Sequence, residues 1–146
     1  MTMPVVVASI PITTFFDDGG SAPQDFSLGS VTSGHGAVLF IGSFGDDGFP
    51  YPTITDSQSN SWVLVGGDQY GSISGNHGFY AYVCRSFATS GTLTLTLANY
   101  AFNGWFGGVI VSGQRTGSDM VDVWEVVAPD SGQLGSPGSR LASMTT

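Results

Sequence analysis

The chain has 146 residues, of which 10% are charged, with three arginines, no lysine and a net charge of -8. That length fits one domain of ordinary size. An acidic, lysine-free chain lacks the basic face that a nucleic-acid backbone or an anionic membrane requires, and its single cysteine excludes an intrachain disulfide.

In chain order, Val5–Ile10 reads as a β-branched strand closed by Pro11. Ile12–Phe16 follows and ends at the turn Asp17-Asp18-Gly19-Gly20. Phe26–Leu28 reads as a short strand. Ala37–Ile41 reads as a core strand, broken by an exposed loop over Gly45–Pro52. Thr53–Asp56 and Ser61–Val65 read as a hairpin joined by the turn-forming side chains Ser57-Gln58-Ser59-Asn60. Gly66–Gly78, rich in Gly, Ser and Asn, reads as a long loop. Phe79–Arg85 is the next strand, and within it Cys84 is expected to be a buried, inert thiol. Thr92–Leu97 alternates strictly, predicting leucines inward and threonines outward. Trp105–Val111 carries Gly107-Gly108, a sign of a bulge or of close backbone approach. Met120–Val127 is the last predicted strand.

Eight or nine short strands, with no helical stripe and no βαβ rhythm, predict an all-β antiparallel sandwich, jelly-roll or immunoglobulin-like. The expected organisation is an N-terminal strand or arm over residues 1–11, the sandwich over 12–127 and an extended C-terminal arm over 128–146. The arm either folds back on its own domain or lies on a neighbouring subunit. No positive segment precedes the apolar Val5–Ile10, so synthesis in the cytoplasm without a signal peptide is expected.

Catalytic signatures fail one by one. His35 and His77 sit in glycine-flanked segments, read as turns or loops, without zinc-ligand spacing. Gly71-Ser72-Ile73-Ser74-Gly75 has Ile where a nucleophile elbow needs Ser. Without lysine there is no Walker-type phosphate loop. Asp17-Asp18 and Asp46-Asp47 precede glycine, as tight turns do, with calcium binding as the minor alternative. No other cofactor or metal is expected, and neither is enzymatic activity. Loop aromatics are the better candidates for partner contacts: Phe44, Phe49, Tyr51, Tyr70, Tyr100 and Phe102, joined by Leu134, Arg140 and Leu141 of the arm.

The motifs Gly36–Gly42, Ile54–Trp62 (with its ITDS, Asn and Trp), Gly78–Tyr82, Thr92–Leu97 and Val109–Gly113 occur in this order over residues 12–127. In order and spacing they resemble a β-sandwich domain that recurs in phage virion proteins and bacterial surface proteins. The resemblance implies a structural role, as a capsid decoration or cement protein or a small tail or fibre component. Other virion proteins such as the major capsid protein are then the expected partners, with homo-oligomerisation. A carbohydrate-binding or adhesion module recognising surface glycans is the alternative.

Overall fold

A computed structural model describes residues 5–16, 23–45, 51–72, 75–99 and 103–113. Among them are eight strands: β1 (Val5–Phe16), β2 (Gln24–Val31), β3 (Gly36–Gly45), β4 (Thr53–Asp56), β5 (Trp62–Ser72), β6 (Gly75–Cys84), β7 (Gly91–Ala98) and β8 (Asn103–Ser112). They form two antiparallel sheets, one in the order β1-β8-β3-β6-β5 and one in the order β2-β7-β4. This is the expected all-β sandwich. The pairs β1–β8, β2–β7 and β3–β6 are nested, as in a jelly roll. β5 departs from that plan, because it lies beside β6 in the larger sheet rather than beside β4.

The core follows from alternation. Leu93, Leu95 and Leu97 of β7 are buried, while Thr92, Thr94 and Thr96 are exposed or half-buried. Ala37, Leu39 and Ile41 of β3 meet them from the other sheet, with Tyr80, Tyr82, Cys84, Phe106 and Ile110. Phe26 of β2 links the two layers, its ring 4.7 Å from Phe106 in an edge contact and 6.3 Å from Phe15. Cys84 is fully buried, as expected, and burial pushes its thiol up to about 11.

Three local expectations are corrected. Pro11 does not end a strand: β1 runs through it, and the register slips between Ile10 and Thr13, so that two residues of β1 oppose one of β8. The segment read as a long loop over Gly66–Gly78 is mostly strand, the facing arms of β5 and β6. Its glycines make room for one ring, since a Cβ at Gly67 or at Gly78 would lie 2.8 Å or 2.1 Å from atoms of the Tyr80 side chain. The expected hairpin between β4 and β5 is not a pairing, since the two strands lie in different sheets. The close approach expected at Gly107-Gly108 is present, because a Cβ on Gly108 would sit 2.1 Å from the Val38 carbonyl oxygen.

Asp56 explains the turn from one sheet into the other. Its carboxylate accepts hydrogen bonds from the backbone N–H groups of Gln58 (2.8 Å) and Asn60 (3.1 Å). It also accepts from the Asn60 side-chain amide (3.2 and 3.1 Å) and from the Trp62 indole (2.7 Å). The loop therefore wraps around one acidic group instead of closing a two-strand ladder. Asn60 and Gln58 fasten the corner to the β6–β7 connection, through Asn60 Oδ1 to the Ala88 N–H (2.8 Å) and Gln58 Oε1 to the Thr89 hydroxyl (2.9 Å).

Candidate interaction surfaces

The two outer faces of the sandwich differ in chemistry. The three-stranded sheet presents hydroxyls: exposed Thr53 and Thr55 on β4, Thr92, Thr94 and Thr96 on β7, and Ser27 on β2. Asp25 lies opposite Thr96 and accepts a 2.6 Å hydrogen bond from its hydroxyl. Part of this face is bonded to its own neighbours, as in the pairs of Thr96 with Asp25 and of Thr53 with Asn99.

The five-stranded sheet is apolar on the face that points away from the core. Register builds one unbroken row, Val63, Val83, Val38 and Val109, across β5, β6, β3 and β8. A second row holds Ala81, Phe40 and Gly107, with Ile12 of β1 leaning beside Gly107. A third holds Phe79, Gly42 and Trp105, with Asp68 at the β5 margin and Thr14 at the β1 margin. The Phe79 ring stacks on Phe40 at 5.9 Å and tilts against Trp105 at 6.1 Å. Ala81 and Val83 are buried without belonging to the core cluster, whereas Phe79 and Val63 are exposed. A sheet apolar on both faces is the pattern of a middle layer, not of an outer wall.

Among the described residues β1 is one edge of this sheet. Val5, Val6, Val7, Ala8 and Ser9 are all exposed in sequence, so neither face of this half of the strand is covered. Val6 is 61% exposed, and Ile12, beyond Pro11, is 77% exposed.

Of the aromatics singled out in the sequence, Tyr51 has a described side chain. It is half exposed and meets Tyr80 edge-on at 5.5 Å. Just behind it, the Tyr82 hydroxyl donates to the Pro52 carbonyl, and its pKa is pushed up to about 12 by burial, then by Tyr80 and Tyr51. Phe44 and Tyr70 lie in strands rather than loops, each opposite His77 in the register of β3, β6 and β5. His77 is therefore a strand residue, contrary to the turn or loop expected for it. His35 does sit in the β2–β3 turn, its N–H donating to the Thr32 carbonyl and its own carbonyl accepting from the Phe87 N–H. Phe49, Tyr100, Phe102, Leu134, Arg140 and Leu141 lie outside the described residues, as do Met120–Val127 and the acidic pairs Asp17-Asp18 and Asp46-Asp47. Among the described residues no group of three or more His, Cys, Asp or Glu side chains converges as a metal site would need.

Sequence reasoning missed the outer valine row. The signal was present in Phe79–Cys84, an apolar run without alternation, which is how a strand covered on both faces reads.

Fold and surfaces together define an all-β sandwich with one hydroxyl wall and one apolar wall. No protein-family model matches the chain, and neither do curated proteins or solved structures.

Proposed function

We propose that this chain is a non-enzymatic structural subunit, of the kind that decorates or builds virion shells and fibres, and that it works by contact with neighbouring proteins of the same particle. The observation that carries the reading is the apolar outer face of the five-stranded sheet. Phe79, Val63 and Ile12 stand exposed on it, and exposed large apolar side chains gathered on one face of a soluble protein mark an interaction site. A coat subunit of the particle is the proposed partner for this face, in line with the resemblance to virion sandwich domains. Mass spectrometry of purified particles, with Phe79→Lys as the face variant, tests the reading. Wild-type chain present in stoichiometric amount, and lost from particles in the variant, is the expected result. A chain that is absent from particles and monomeric in solution overturns it.

A glycan-binding role draws on one observation, the half-exposed Tyr51 ring backed by Tyr80, since an aromatic face of this kind stacks on sugars. Binding on a glycan array that disappears in Tyr51→Ala would favour it, and an array blank with and without calcium would remove it.

A further inference from the structure

We infer that β1 is a self-association edge, at which Val5–Ser9 of one copy pairs antiparallel with the same residues of a second copy. The inference refines the structural-subunit reading by naming a partner, and it stands on a different surface from the apolar outer face.

Among the described residues there are four edge strands, and they are not alike. β5 carries Asp68, β2 carries Asp25 and β4 ends on Asp56. Charged residues on an edge strand are a standard device against edge-to-edge pairing. In a chain of net charge -8 they set one copy against another. β1 alone among these edges has no charged residue along its described length, Val5 to Phe16. Among the described residues no loop covers it, and Val5–Ser9 is exposed on both faces. Pairing the strand with itself is symmetric about a two-fold axis, so one surface supplies both halves of the contact. The pairing sets Val7 opposite Val7, Val6 opposite Ala8 and Val5 opposite Ser9, and the three valines are strong strand formers. One register shift lies inside the segment, between Val6 and Ala8, with Val7 as the extra residue. The contact ends at Pro11, which has no N–H to donate, and at the second shift between Ile10 and Thr13. The product is one continuous sheet that joins the five described strands of each copy, with both hydroxyl walls left free.

Sedimentation equilibrium of the full chain tests it, with Val7→Lys and, at a second position, Val5→Lys. Val7 has no Cα partner in the β1–β8 register, so the lysine leaves the native ladder intact, and an unchanged thermal melt in circular dichroism confirms the fold. A dimeric wild type, weakened roughly tenfold or more by either lysine, is the expected result. A monomeric wild type at micromolar concentration overturns the inference. So does a dimer that survives both lysines. In that last case, if Phe79→Lys dissociates the dimer, the structural-subunit reading stands on the outer face and only the β1 assignment falls.

Discussion

The Trp62 indole donates a 2.7 Å hydrogen bond to the carboxylate of Asp56, six residues earlier, and so ties the first residue of β5 to the last of β4 across the two sheets. The same carboxylate takes four further hydrogen bonds from Gln58 and Asn60. Removing it strands several partly buried donors at once. Asp56→Ala is expected to lower stability by about 2–4 kcal/mol, at the scale of lost bonds to a charged acceptor. Urea unfolding measures this. A double-mutant cycle with Trp62→Phe is expected to show coupling of about 1 kcal/mol or more.

Alkaline pH is expected to unfold the protein through two named groups. In the fold, the Tyr82 hydroxyl is raised from 10.0 to about 12 and the Cys84 thiol from 9.0 to about 11, each mainly by burial. The unfolded chain therefore loses these protons first, and stability falls as pH rises. The contribution is complete below about pH 9 and is lost between about pH 9 and 12. Urea midpoints measured against pH follow this decline. Cys84→Ala is expected to move its onset upward, toward the Tyr82 window that begins near pH 10.

Alternation along β7 gives a paired prediction. Leu95→Ala removes a fully buried side chain between the sheets and is expected to cost about 2–5 kcal/mol. Thr92→Ala, on the exposed wall, is expected to stay within about 0.5 kcal/mol. Thermal melts of both variants decide it, and equal effects would contradict the assigned faces.

Two glycines test different constraints. At Gly108 a methyl group would meet the Val38 carbonyl at 2.1 Å, and only backbone movement relieves that contact. Gly108→Ala is expected to cost about 3 kcal/mol or more. At Gly29 there is open space but φ is +75°, so Gly29→Ala is expected to cost only about 1–2 kcal/mol of backbone strain. Denaturant midpoints of the two variants rank them.

The legible parts of the sequence were those set by local rules. Thr92–Leu97 named its own faces, and Ala37–Ile41 its place in the core, because alternation and burial act along one strand. The Ser57–Asn60 segment was correctly a turn, yet turn chemistry says nothing about which sheet receives the next strand. That choice is made by the Asp56–Trp62 bond and the ties to Ala88 and Thr89, contacts across distance in sequence. Gly67 and Gly78 read as loop because their reason for being glycine is the Tyr80 ring, which no local window connects to Gly67. Of the partner residues expected from the sequence, Tyr51 was found half exposed, while β1 and the outer valine row emerged only once register placed neighbouring strands side by side.

Nesting also sets an order of events. Among the described strand pairs, β5–β6 is the one between neighbours in sequence, and β1 must wait for β8 about a hundred residues later. At synthesis rates of about 5–20 residues per second, that wait is roughly 5–20 s. Folding dominated by such distant pairings is also intrinsically slow. Throughout that interval an uncharged valine strand emerges from the ribosome with neither edge engaged, so the nascent chain meets its neighbours on a polysome before it meets its own last strand.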